Sequence, residues 1–176
     1  MTIREQTVTL LGSLRGVWDE VAVDELDHAL QSAARALEDG ADDELVLAAA
    51  LHDIGHSPLL AGGSAAHDRI ALEWLTPRFG ARVGWLAGAH VAAKRHLAAT
   101  EPGYAAALSD VSITSLHRQG GAAVDPELVA HPWWHDALRL RRYDDAAKDP
   151  AAQGADIETV VTVAERVAAG QNERSS

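Results

Sequence analysis

His52 and Asp53 stand side by side at the end of an apolar run, residues 45–51. An ionisable pair in that setting is costly to desolvate unless something neutralises it, and a bound cation does so. His28, His67, His90 and Asp144 carry the same donor types, and each falls on a different stretch of the chain. With nine histidines and no cysteine, a disulfide framework, a zinc knuckle, an iron–sulfur cluster and a cysteine nucleophile are excluded. Any metal site must be built from imidazole and carboxylate, ligands that suit iron, manganese, zinc or nickel. On a continuing helix His52 and Asp53 point about 100° apart, so they reach two adjacent ions, or one ion by a bent approach.

Taken singly, each residue has a plainer role. His28 or His90 on an apolar face is a hydrogen-bonded core histidine, and Asp144 a salt-bridge partner of Arg141 or Lys148. The inference rests on the ordered set. Lys94 follows His90 by four residues and Arg141 precedes Asp144 by three, so each cation lies one turn from a candidate ligand on the same face. Arg as a planar fork and Lys as a point charge could hold a tetrahedral dianion against a metal; pairing with nearby carboxylates is the alternative. Ser112 and Ser115, three apart, suit two hydroxyl donations to one anion, or form an ordinary polar face. Gln119-Gly120-Gly121 is first a helix terminator, and Trp133 and Trp134, beside His131 and His135, read as packing and surface residues.

The elements that must position these groups read as helices. Alanine and leucine abound, and no alternating strand pattern bounded by hairpin turns occurs. Asp24 caps a helix carrying Leu26, Ala29, Leu30, Ala33 and Leu37 on one face, and Gly40 ends it. A second helix is predicted over 43–55, followed by a loop with Ser57, Pro58, Gly62 and Gly63. A third, over 65–75, stops at Thr76-Pro77, where Pro77 opens a fourth that passes His90 and breaks at Glu101-Pro102-Gly103. Short helices follow over 104–108 and 111–118, a longer one over 132–148, and a last one over 157–169 before a polar tail, 171–176. The expectation is one all-α bundle over 1–176, with no linker dividing it and the metal site in its core.

The chain has 176 residues, 15 Lys plus Arg against 26 Asp plus Glu, and a net charge of -11. An acidic surface repels phosphate backbones and anionic leaflets, so neither nucleic acid nor membrane is an expected partner. The basic cluster Arg139, Arg141 and Arg142 is followed at once by Asp144 and Asp145. No apolar h-region opens the chain, and nowhere do ~18 apolar residues run together. A soluble, cytoplasmic protein is expected, monomeric or weakly self-associating.

Residues 51–56, Leu-His-Asp-Ile-Gly-His, with His28 upstream and Asp144 downstream, resemble the HD-domain superfamily of metal-dependent helical proteins. His67 and His90 match its six-ligand subset, which holds two metals. More narrowly, residues 26–31, 90–95, 108–112, 119–121 and 140–145 resemble the PhnZ-type phosphonate oxygenases, over roughly residues 18–150. Those enzymes use a mixed-valent Fe(II)/Fe(III) pair and O2 to cleave the carbon–phosphorus bond of 1-hydroxyphosphonates. The resemblance implies His28, His52, Asp53, His67, His90 and Asp144 as ligands of two iron ions, with Asp53 bridging. It places His56, Lys94, Ser112, Ser115 and Arg141 around a small organophosphonate, with His56 and Lys94 at the reacting centre.

The sequence departs from that family in one place. A lid tyrosine and glutamate precede the family's first histidine, the tyrosine occupying the open iron position and the glutamate contacting the substrate's amino group. Trp18 and Val21 stand at those positions here. Trp offers iron no oxygen and Val offers an ammonium no charge, which implies a smaller or differently substituted hydroxyphosphonate unless a one-residue shift brings in Asp19 or Glu20. The rival reading keeps the metal pair but makes it hydrolytic, an HD-type phosphohydrolase acting on a small phosphate ester or nucleotide. A degenerate, non-enzymatic HD module would lack at least one ligand, and none is missing.

Overall fold

The computed structural model describes residues 1–60 and 66–174. Gly62 and Gly63 of the predicted loop, Ala65 at the predicted start of the third helix, and residues 175–176 lie outside the described residues. Among the described residues ten α-helices and one 3-10 turn, Ile54–His56, form the bundle, and there is no strand.

The centre is α3 (Asp43–Leu51), capped by Asp42, whose side chain accepts from Leu45 N; all seven residues from Leu45 on are buried. A helix apolar on every face must be enclosed by others. α2 (Glu25–Glu38), α5 (Ala81–Thr100), α9 (Trp134–Asp145) and α10 (Ile157–Arg174) pack around it. Arg82 of α5 ties three of these elements together, donating to Asp42 at 2.8 Å, Glu44 at 3.1 Å and Asp136 of α9 at 2.9 Å.

Four boundaries differ from the sequence reading, each for a physical reason. The predicted helix over 43–55 stops at Leu51; His52 is its C-cap, Asp53 leaves helical geometry (φ -102, ψ 14), and Ile54–His56 forms a 3-10 turn. α4 (His67–Phe79) runs through Pro77 instead of stopping before it, because Leu75 and Phe79 are both buried in the core and Gly80, at φ 93, supplies the reversal into α5. The segment predicted over 132–148 is helical only over α9, so Ala147 and Lys148 lie in the chain beyond its cap, Ala146. The last helix continues past Ala169 to Arg174, held by Gln171 and Arg174, which donate to Glu44 at 3.2 and 2.8 Å.

Two helices are additional. α1 (Ile3–Ser13) starts on a capping box of Thr2 and Glu5 and packs Leu10 and Leu11 inward. α8 (Pro126–Val129) is a single turn after Asp125. The short α6 (Tyr104–Ala107) and α7 (Asp110–Arg118) flank the site.

Candidate metal and anion site

The C-terminus of α3 delivers two adjacent side chains to one point because the helix ends there. Once the chain leaves the helix at Asp53, its carboxylate turns back until Oδ2 lies 3.0 Å from His52 Nε2. A continuing helix would have sent the two side chains apart. Gly55 permits the second half of the arrangement. A Cβ there would lie 2.2 Å from the His67 carbonyl oxygen and 2.4 Å from its Cα, so only glycine lets the start of α4 come this close.

Six of the sequence-selected residues meet here. Asp53 Oδ2 faces His52 Nε2 at 3.0 Å and His28 Nε2 at 3.4 Å, while Oδ1 faces His90 Nε2 at 3.4 Å and His67 Nε2 at 3.5 Å. Asp144 completes the first group, 3.4 Å from His28 and 3.5 Å from His52. Two sets of candidate donors therefore share one carboxylate. His28, His52, Asp53 and Asp144 form one; Asp53, His56 and His67 form the other. His56 thus stands nearer the second group than its expected place at the substrate suggests, its ring stacked on that of His67 at 4.5 Å.

The histidines are oriented by their other ring nitrogens. Nδ1 of His28, His52 and His90 meets the backbone carbonyls of Ala147, Ala49 and Ala87 at 2.9, 2.9 and 2.5 Å. A carbonyl only accepts, so each Nδ1 carries a proton, and Nε2 is the atom each ring turns toward Asp53, where it offers a proton to the carboxylate or, once deprotonated, a lone pair to a metal. This is how metal-binding histidines are usually held. His28 and His52 bring these nitrogens within 3.4 Å of each other. Asp53 Oδ1 is buried without a hydrogen bond among the described residues. A cation between these atoms satisfies all of them at once, so the donor set fits a hard-to-borderline metal pair.

The electrostatics agree. Burial alone would lower the His52 pKa, but the carboxylates of Asp53 and Asp144 outweigh it and raise it to about 10; His28 is raised by the same neighbours. Burial would push Asp53 and Asp144 up, yet the surrounding cations hold both well below the usual carboxylate range, His52 first for Asp53 and Arg141 first for Asp144. The potential that draws a proton onto His52 would draw a metal ion in its place.

Above the cluster is a cavity of about 170 Å³. Lys94, Ser112, Ser115 and Arg141 all line it. Lys94 is buried, its Nζ donating to Ser115 Oγ at 2.7 Å, a neutral partner that leaves the charge uncompensated by that bond. Burial and the nearby Arg141 charge bring its pKa down to about 8. Arg141 is more committed than the spacing suggests. Its Nε donates to Tyr104 Oη at 3.0 Å, Nη1 to Asp144 at 2.5 Å and Nη2 to Asp145, so its planar fork is held on carboxylates.

Trp18 and Val21 point away, 62% and 81% exposed, and it is Asp19 and Glu20 between them that line the cavity. Four further lining residues, Glu25, Arg118, Gln119 and Lys148, were given no role at the site in the sequence. Glu25, one turn before His28, is buried with Oε2 unpartnered, and burial together with the Asp53 charge pushes its pKa up to about 8. Lys148 reads in the sequence only as a salt-bridge partner of Asp144, and Gln119 as part of a terminator. Only the spacing of Glu25 from His28 could have signalled one of these.

No protein-family profile matches the chain. A hydroxymethylphosphonate dioxygenase of Gimesia maris is 35% identical to it over 159 residues, covering 84% of this chain and 79% of that protein. The chain belongs to the PhnZ-type HD-domain oxygenases. A second relative, a glycine-betaine-forming 1-hydroxy-2-(trimethylamino)ethylphosphonate dioxygenase of Leisingera caerulea, is 36% identical over 144 residues, 76% of this chain and 70% of that protein. A PhnZ-type oxygenase is metal-dependent and consumes O2, and the paired donor groups around Asp53 are consistent with that chemistry.

Proposed function

We propose that this chain is a di-iron dioxygenase that cleaves the C–P bond of a small 1-hydroxyphosphonate with O2, giving a carboxylate and phosphate. The observation that carries the reading is the shared carboxylate: Asp53 turns one oxygen to His28 and His52 and the other to His67 and His90. In this reading His28, His52, Asp53 and Asp144 would hold one iron, and His67, His90 and Asp53 would hold the other. A mixed-valent Fe(II)/Fe(III) pair would supply the one-electron steps by which O2 reacts with a C–H bond.

The protein's own contribution is orientation and charge. Lys94, with Ser112 and Ser115 beside it, would hold the phosphonate oxygens over the metal ligands. His56, whose pKa burial lowers, is neutral near pH 7 and could accept the proton of the substrate hydroxyl. Arg141 fixes Asp144 through Nη1 and adds positive charge to the cavity without moving. Residues of α2, α5, α7 and α9 line the cavity around the metal ligands.

Hydroxymethylphosphonate suits this cavity better than a quaternary ammonium substrate. Its volume is about 170 Å³, and no Phe, Tyr or Trp lines it among the described residues, so it offers none of the aromatic faces that bind such cations. A monomeric or weakly associating state and a cytoplasmic location belong to the same reading; no helix among the described residues is long and apolar enough to cross a membrane.

The test is turnover of hydroxymethylphosphonate by iron-loaded protein with and without O2, measuring formate and phosphate together. Equal amounts of both, dependent on O2, are expected. Phosphate release at an undiminished rate under anaerobic conditions would establish a hydrolase instead.

A further inference from the structure

Between α1 and α2 the chain crosses the mouth of the cavity, and Glu20 from this crossing is held like a ligand. Its carboxylate accepts from Lys148 Nζ at 2.8 Å and from Ser112 Oγ at 3.2 Å, with Ser109 Oγ 3.3 Å away. Lys148 Nζ also donates to Ser112 Oγ at 2.8 Å. The Glu20 and Lys148 side chains are only 11% and 16% exposed, so this is an enclosed pair and not a solvated surface bridge. Ser109 caps α7 and Ser112 sits in its first turn, which adds the partial positive charge of that helix end to the lysine.

Three donors converging on one carboxylate would serve any oxyanion of similar size. Lys148 Nζ lies 3.9 Å from Asp144 Oδ1, so an anion held there borders the candidate metal ligands. Ser112 and Lys148 also line a neighbouring cavity of about 420 Å³, so the Glu20 contact is part of the partition between that cavity and the site. The unwound chain after α9 serves both ends of this device. Ala147 there accepts from His28, and the next residue reaches Glu20.

We infer that Lys148, Ser109 and Ser112 form an oxyanion subsite, that Glu20 occupies it in the resting protein, and that a phosphonate oxygen displaces Glu20 from it. The inference rests on the phosphonate reading above. A dianion arriving beside Glu20 is repelled by it and attracted by Lys148, so exchange is favoured when the incoming group carries more charge than the carboxylate it replaces. Lys148 thereby becomes a second cation for the substrate, beside Lys94, and Glu20 a specificity device that disfavours weakly charged ligands.

Calorimetric titration of inorganic phosphate into anaerobic, iron-loaded protein tests this, paired with KM for hydroxymethylphosphonate. Lys148→Met should weaken phosphate roughly tenfold or more, as loss of a charge-assisted hydrogen bond does. Lys148→Arg should restore most of it. Glu20→Gln should tighten phosphate by about threefold or more, because a neutral amide competes less well for the lysine, and this gain should vanish when Lys148 is already Met. Unchanged phosphate affinity in folded Lys148→Met, or unchanged or weaker affinity in Glu20→Gln, would overturn the inference. Should Lys148→Met fail to fold, Glu20→Gln decides by the same criterion. O2-dependent C–P cleavage without this phosphate pattern sinks the subsite alone. The phosphate pattern without C–P cleavage sinks the functional reading and leaves the subsite standing.

Discussion

A buried lysine beside a neutral hydroxyl is an unusual way to spend a charge, and Lys94 shows what it achieves. Its Nζ meets Ser115, not a carboxylate, and burial with the Arg141 charge lowers its pKa to about 8. Below that pH the ammonium is available to a dianion; above it the lysine is neutral and the attraction is lost. KM for hydroxymethylphosphonate should therefore rise as pH passes through about 8. Lys94→Arg, which keeps its charge, should flatten that limb of the profile even if its absolute KM differs. The comparison of the two pH profiles checks the assignment, since any titration of the substrate itself is common to both. The histidines follow a related logic, each Nδ1 proton given to a carbonyl so that Nε2 is left for the centre.

At the scale of elements, the decisive feature is where helices stop. α3 ends at Leu51, the chain turns through Ile54–His56, and Gly55 presses against the first residue of α4. Gly55→Ala puts a methyl group inside the van der Waals radius of the His67 backbone, which must retreat. Overpacking of this kind costs about 1–3 kcal/mol. The loss should fall on one half of the centre, because His67 faces Asp53 Oδ1 whereas His28, His52 and Asp144 arrive from α2, the end of α3, and α9. If the parent holds the proposed two ions, metal analysis of Gly55→Ala should give close to one ion per chain, with a lowered melting temperature. Equal loss of both ions would show that the two halves are not separable.

At the scale of the molecule, the bundle encloses a concentration of ionisable groups at its core. His28, His52, His90 and Asp144 are all buried within a shell of alanine and leucine. A metal that binds only the folded chain stabilises it by about 2.7 kcal/mol per site at a hundredfold excess over its dissociation constant. For a chain of this length each kcal/mol moves the midpoint by roughly 2–4 °C. Chelation should lower the melting temperature by about 5 °C or more per site, and restoring Fe(II) under anaerobic conditions should reverse it; differential scanning fluorimetry reads both.

The sequence by itself determined the helical class, the apolar run before His52, and the six residues, Asp53 among them, that meet at the site. Those are consequences of residue type and period, and both are local. It also contained α1 in plain form, the Thr2 and Glu5 capping box before Leu10 and Leu11, which the polar spacing of the first residues obscured. What only the tertiary structure decided is how close these groups come and what each faces. Whether α4 passes Pro77 depends on the burial of Leu75 and Phe79, and whether Lys148 is a surface lysine or a cavity wall depends on α9 ending at Asp145. The placement of Glu20 against Lys148 and Ser112 joins residues 128 and 92 positions apart. No local preference specifies that contact, because it forms only once α2, α7 and α9 are packed around one charge that the core must satisfy.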